Sequence, residues 1–137
     1  MKLIAFTDGA SRGNPGKAAI GIVIKNEDNT IIETHKKYLG TATNNIAEYT
    51  ALLHCVETVK NSKTLRCTEL VVNTDSELMA RQMNGEYKVK DAGLKVLFQK
   101  VKIALGSAQF KFSIRHIPRS LNNEADALAN EAIDLHR

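Results

Sequence analysis

The chain has 137 residues, 43% of them hydrophobic and 25% charged, with a net charge of +4. That size and composition fit one compact domain over residues 1–137 with a single core. They exclude a membrane-spanning chain, because no apolar run approaches the ~20 residues of a span. They also exclude a disulfide scaffold, because the two cysteines, Cys55 and Cys67, show neither framework nor zinc-site spacing. The amino terminus enters a strand-like stretch without a signal-peptide pattern, so a soluble, cytoplasmic protein with two reduced thiols is expected. Nothing in the pattern suggests a dedicated interface, and a monomer is expected.

Residues 3–8, 18–26 and 30–38 are rich in Ile, Val, Ala and Phe. They are separated by residues 9–17 and by the polar turn Glu27-Asp28-Asn29, which predicts three strands of an antiparallel meander. Over residues 44–60 the period changes. Ala47, Ala51, Leu52, Cys55, Val56 and Val59 recur at three and four, so an amphipathic helix capped by Asn44 or Asn45 is predicted. Residues 69–74 form a fourth strand, followed by a short helix over 76–84 that Gly85 stops. Asp91 caps a further helix with the stripe Leu94, Leu97, Phe98, Val101, Ala104 and Leu105. Residues 110–116 alternate as a fifth strand, and Asn122 or Asn123 caps a closing helix bearing Ala125, Leu128, Ala129, Ala132 and Ile133. Helices between the later strands require right-handed parallel crossovers. The expected fold is α/β, a mixed five-stranded sheet of three antiparallel strands then two parallel ones, flanked by helices.

Four acids stand among apolar residues. Asp8 ends the run Leu3-Ile4-Ala5-Phe6-Thr7 on the face of Ile4 and Phe6, at a strand end by this reading. Glu48 lies in the first turns of its helix, with Leu52, Cys55 and Val59 on the same side. Asp75 follows Leu70-Val71-Val72-Asn73-Thr74 at the carboxyl end of a strand, where open α/β sheets hold ligands. Asp126 shares the face of Ala129 and Ile133 in the first turn of the last helix. A single acid near a helix start usually serves the helix dipole. Four converging, partly buried carboxylates repel one another and lose hydration, so divalent cations are needed to neutralise them. Hard oxygen ligands suit two Mg²⁺ ions, or Mn²⁺, which could activate water and stabilise a leaving oxygen in phosphoryl transfer. Basic charge points to the matching substrate. Residues 81–119 carry nine Lys and Arg against only Glu86 and Asp91, as an enzyme acting on a polyanion would need.

The stretches Thr7-Asp8-Gly9-Ala10, Gly13-Asn14-Pro15-Gly16, Thr43-Asn44-Asn45-Ile46-Ala47-Glu48, Asn73-Thr74-Asp75-Ser76, and His116 through Asn122 to Ala125-Asp126 occur in that order. Together they resemble the ribonuclease H family, type 1, over nearly the whole chain. The resemblance implies a ribonuclease H-like fold and endonucleolytic cleavage of the RNA strand of an RNA/DNA hybrid, leaving a 3′-hydroxyl and a 5′-phosphate. It implies that Asp8, Glu48, Asp75 and Asp126 are metal ligands, and that His116 assists proton transfer or product release. Asn14, Asn44 and Asn45 match positions that contact the hybrid in its minor groove, and Thr43 resembles part of a site for a DNA phosphate. Asn122 and Glu77 fall among the substrate-binding positions. An enzyme that cuts only RNA must detect the 2′-hydroxyl, which amide side chains can do across a shallow groove. Each Asn also has a local use, in the Gly-Asn-Pro-Gly turn or as a helix cap.

The chain departs from the family pattern twice. Glu77 stands where many members carry a substrate-contacting glutamine. The segment between Gly85 and Asp91 is short, so this is a form without the long basic protrusion, which leaves Lys88, Lys90 and the lysines of the next helix to grip the DNA strand. Two other readings compete: a non-catalytic module that binds hybrid or double-stranded RNA, and a related nuclease such as a transposase or Holliday-junction resolvase core. The acidic quartet opposes the first, and Asn14, Asn44 and Asn45 oppose the second.

Overall fold

The computed structural model describes residues 1–136. The meander is longer than its apolar runs: β1 spans Lys2–Gly13, β2 spans Gly16–Lys25 and β3 spans Ile31–Ala42. Residues 9–17, expected as a loop, are mostly strand. Gly13 pairs with Gly16, and only Asn14 and Pro15 remain in the turn. Gly, Ala and Ser are poor strand formers, so composition argued for a loop. Pairing with β2 overrode it, since Gly9, Ala10 and Ser11 lie opposite Ile20, Ala19 and Ala18. Asp8 is therefore inside β1 rather than at its end.

Helix α1 (Asn44–Asn61) follows at once. Its cap is Thr43, not Asn44 or Asn45: the threonine hydroxyl accepts the Ile46 N–H at 3.2 Å, leaving both asparagines as exposed first-turn residues. Next come β4 (Glu69–Thr74), α2 (Glu77–Met83), α3 (Ala92–Gly106), β5 (Lys111–His116) and α4 (Asn123–Leu135). Ser76 caps α2 by accepting from Met79 N, and Gly85 beyond its end adopts φ +78°, the left-handed conformation that stops a helix. Asp91 caps α3 as expected, accepting the Leu94 N–H at 2.9 Å. A short 3₁₀ turn over Arg119–Leu121, not anticipated from sequence, leads into α4.

The sheet order is β3-β2-β1-β4-β5, antiparallel among the first three strands and parallel from β1 to β4 and β4 to β5. This is the mixed five-stranded sheet expected. Ala51, Leu52, Cys55, Val56 and Val59 of α1 are buried against Leu3, Ile20, Ile22, Ile24, Leu70 and Val72 of the sheet, and Ala47 is buried where α1 meets Gly9. Burying each large aliphatic chain contributes roughly 1.5–3 kcal/mol. Cys55 and Cys67 are free thiols, and no helix among the described residues is long and apolar enough to cross a membrane.

Two glycines bring helices onto opposite faces at the level of Asp8. A Cβ on Gly9 would lie 2.2 Å from the Ala47 carbonyl carbon and 2.3 Å from Glu48 N, so β1 and α1 touch backbone to backbone there. Gly21 pairs with Asp8, and a Cβ on it would lie 2.1 Å from the Ala125 carbonyl oxygen of α4. Successive strand residues face opposite ways, so α1 and α4 sandwich β1 where the first carboxylate sits.

Candidate active site

Strand β4 ends at Thr74, opposite Thr7, so beyond that pair β1 has lost its neighbour. Asp8 is the next residue, and Asp75 is the first residue after β4. The cleft opens in this gap. The Gly9 N–H donates at 2.7 Å to Glu48 Oε1 from the first turns of α1. Glu48 is thereby drawn onto the strand edge, and ligand oxygens of Asp8, Glu48 and Asp75 lie within 4.8 Å of one another. Asp126, from the first turn of α4, lines the same cavity of about 470 Å³. Sequence-predicted ligands from β1, α1, β4's end and α4 thus share one cleft, three of them as a tight group and Asp126 beside Asp8.

Asp8 is 5% exposed and Glu48 7% exposed, so their charges are poorly hydrated. Burial pushes the Asp8 carboxyl up to about 8, with repulsion from Asp75 and then Asp126 adding to it. Glu48 is raised well above the usual carboxylate range by burial first and then by Asp8 and Asp75, against which the Gly9 N–H acts. Without added positive charge the cluster holds protons it would shed in water. The donor set is all carboxylate oxygen, with no His or Cys in the group, which fits hard divalent cations.

A supporting layer holds these acids. The Asn122 amide is buried and donates to the Thr7 carbonyl at 2.9 Å and to Asp75 Oδ2 at 3.2 Å. It ties β1, Asp75 and the start of α4 together from behind, while its Oδ1 has no protein partner. Asn130, one turn beyond Asp126, donates to the Asp126 carbonyl and Oδ1 at 3.0 and 3.2 Å. Arg12 reaches from the β1 hairpin to Asn130 Oδ1 at 3.3 Å and pairs with Asp134 at 2.7 Å. Arg119 places its guanidinium 3.8 Å from Asp126 and lines the cleft. Sequence reasoning missed Arg12 and Asn130 and counted Arg119 only within the basic segment 81–119. The helical spacing of Asp126 and Asn130 was the one signal available for Asn130.

The other candidates lie around this centre. Asn14 uses its Oδ1 to accept the Asn44 N–H at 3.1 Å, coupling the β1–β2 turn to the start of α1. Asn44 lines the cleft, and Asn45 is exposed beside it. Thr43 is half-buried and occupied as the cap. His116 ends β5 opposite Thr74 and is exposed, but it lines a neighbouring groove with Glu77, Arg81 and Asn84 rather than the carboxylate cleft. Lys88 lines a third groove with Tyr87, Lys95 and Phe98, and Lys90 is exposed nearby.

Sheet order, crossing helices and carboxylate placement together define a ribonuclease H-like domain with an acidic centre whose oxygen donors suit a divalent cation. The chain belongs to the reverse transcriptase-like family, whose pattern matches residues 6–132. It is 39% identical over 135 residues to a bifunctional protein of Mycobacterium tuberculosis, covering 98% of this chain and 36% of that protein. It therefore spans about a third of the length of that relative. It is 38% identical over 130 residues to ribonuclease HI of Halobacterium salinarum, covering 95% of this chain and 63% of that one. Among solved structures it is similar to LC11-RNase H1 in complex with an RNA/DNA hybrid, at 43% identity, 96% coverage of each chain and a TM-score of 0.91. The likeness to type 1 ribonucleases H that the motifs suggested is borne out.

Proposed function

We propose that this chain is a divalent-metal-dependent endoribonuclease that hydrolyses the RNA strand of RNA/DNA hybrids and leaves 3′-hydroxyl and 5′-phosphate ends. The observation that carries this is the group of Asp8, Glu48 and Asp75, whose ligand oxygens lie within 4.8 Å of one another although burial and mutual repulsion raise the pKa of two of them. Such a cluster is costly to fold, and the few hydrogen bonds it accepts do not offset that cost. The hybrid-bound relative and the ribonuclease HI relative support the substrate.

Asp8, Glu48, Asp75 and Asp126 would hold two ions, Mg²⁺ in preference and Mn²⁺ as a substitute. When bound, the ions supply positive charge at both the attacking and the leaving oxygen of an in-line displacement. The chain's own groups do the rest. Gly9 N–H and Asn122 fix Glu48 and Asp75 in place before substrate arrives. Asn44 and Asn45, locked in register by Asn14, present amides to the minor groove, where the 2′-hydroxyl distinguishes RNA from DNA. Thr43 stands by a phosphate of the DNA strand, and Lys88 and Lys90 add a salt-sensitive hold. His116 serves proton transfer or product release from its exposed position opposite Thr74. The two free thiols support a cytoplasmic protein, acting as a monomer.

The test is Mg²⁺-dependent cleavage of an end-labelled RNA/DNA hybrid beside matched DNA and RNA duplexes, with Asp75→Asn as control. Cutting confined to the RNA of the hybrid, and lost in the variant, is expected. Equal cutting of plain DNA, or an active variant, would overturn the proposal.

A further inference from the structure

The groove beyond Asp75 holds two guanidinium groups, Arg115, which donates to Asn73 Oδ1 at 2.7 Å, and Arg81, which two carboxylates hold. It holds about 260 Å³ and is lined by Glu77, Arg81, Asn84, Glu86 and His116. Glu77 opens α2 two residues after Asp75, so this neighbouring groove lies close to the carboxylate cleft, past the end of β4. Arg81 lies one turn further along α2. Its Nε and Nη2 donate to Glu77 Oε2 at 3.2 and 3.1 Å, and its Nη1 donates to Glu86 Oε1 at 3.5 Å. The guanidinium carbon is 5.4 Å from the centre of the Tyr87 ring. The turn that supplies Glu86 and Tyr87 is itself fastened, because both backbone N–H groups donate to the Arg81 carbonyl, at 2.8 and 3.3 Å. Asn84 donates to the Ile114 carbonyl at 3.2 Å and anchors this end of α2 to β5.

A surface ion pair gains little stability from holding a long side chain in one pose. Here two carboxylates hold one guanidinium while a second, that of Arg115, lines the same groove, so the charges balance and the groove does not repel a passing polyanion. The arrangement makes sense if a further anion is to join it. Guanidinium carries five N–H donors in a rigid fork. Three are spent on Glu77 and Glu86, and two stay available in a direction fixed by the first three. A fork oriented in advance loses little entropy when it meets phosphate oxygens.

Resting on the ribonuclease reading above, we propose that Arg81 is a phosphate-binding arm, held ready by Glu77 and Glu86, which grips the nucleic-acid strand beyond the scissile bond. Glu77 then serves the substrate through Arg81 and not by direct contact. The departure from glutamine at that position and the arginine one turn later form a single device.

Two variants, Arg81→Gln and Arg81→Lys, test this in steady-state cleavage of an RNA/DNA hybrid. Hybrid binding over a salt series in an Asp75→Asn background gives a second measure that does not need turnover. Arg81→Gln is expected to raise KM and the dissociation constant roughly five- to thirty-fold, to change kcat less than about twofold, and to lower the salt slope by about one unit. Arg81→Lys keeps the charge but not the fork, so it is expected to keep the slope and recover part of the affinity. If Arg81→Gln moves only the melting temperature, Arg81 is a surface brace and the arm is refuted, while the ribonuclease reading stands. If the native chain does not cut the hybrid but binding still depends on Arg81 with the stated slope, the ribonuclease reading fails and the arm stands. Absence of hybrid binding in every form overturns both.

Discussion

Each end of the sheet holds a cavity. Where β4 and β5 begin, a space of about 670 Å³ lies among Val59, Lys60, Leu65, Arg66, Cys67 and Phe110. Where β4 stops, a smaller one of about 470 Å³ is lined by Asp8, Glu48, Asp75 and Asp126. The larger cavity mixes apolar side chains with neutral polar ones such as Ser62, Thr68 and Gln109 and with the exposed cations Lys60 and Arg66, none of them forced into a poorly hydrated place. The smaller one gathers like charges that repel, held by Gly9, Asn122 and Asn130. Size therefore does not mark the site in this molecule. Strain in the charge arrangement does.

The sharpest way to break that contrast is to neutralise one end and hollow out the other. Asp75→Asn is expected to lower hybrid cleavage at least about a hundredfold with the fold intact. Leu65→Ala, in the larger cavity, should cost roughly 2–4 kcal/mol of stability and leave the activity of the folded fraction alone. Denaturant melts and kinetics on the two variants separate these effects, and a loss of kcat in Leu65→Ala would refute the division of labour.

Gly9→Ala comes next. Its Cβ would meet α1 backbone at 2.2 Å, so α1 must move and take Glu48 with it. A destabilisation of about 1–3 kcal/mol is expected. Activity should fall by more than the unfolded fraction explains. Asn122→Ala removes the amide that joins Thr7 to Asp75, and a roughly ten- to hundred-fold loss of activity or metal affinity is expected, read by titrating Mg²⁺.

The smallest effect sharpens the electrostatic side of the comparison. The Asp8 carboxyl is pushed up from 3.8 to about 8, so the folded protein keeps a proton that the unfolded chain loses across that window. The native state binds more protons there, and stability without divalent cation must fall as pH rises through it. Asp8→Asn lacks this penalty. Its melting temperature should match the native chain near the acid end of the window and exceed it near the alkaline end. Millimolar Mg²⁺ should close the gap by binding the native state. A gap independent of pH and Mg²⁺ would show that Asp8 bears no electrostatic strain.

Much of the fold was legible because it rests on short-range patterns. The stripe from Ala47 to Val59 has helical period, and all its residues are buried in α1. Asp91 preceded its stripe and caps α3. Local patterns failed where pairing with a distant segment decided the outcome. Gly9, Ala10 and Ser11 look like loop but lie in β1 because β2 runs opposite them. Asn44 and Asn45 have good capping side chains, but Thr43 sits one position closer and takes the role.

The sequence by itself determined the order of elements and the presence of four carboxylates in apolar surroundings, because hydrophobic period and charge are properties of neighbours along the chain. Only the tertiary structure decided that β4 ends one residue short of Asp8, and that Gly9 and Gly21 admit helices from opposite faces. It also decided that the Asn122 amide bridges Thr7 and Asp75, 115 and 47 residues away in sequence, and that Glu86, beyond the end of α2, joins Glu77 around Arg81. These contacts depend on strand order, register and helix crossing, and no periodicity within one segment encodes them.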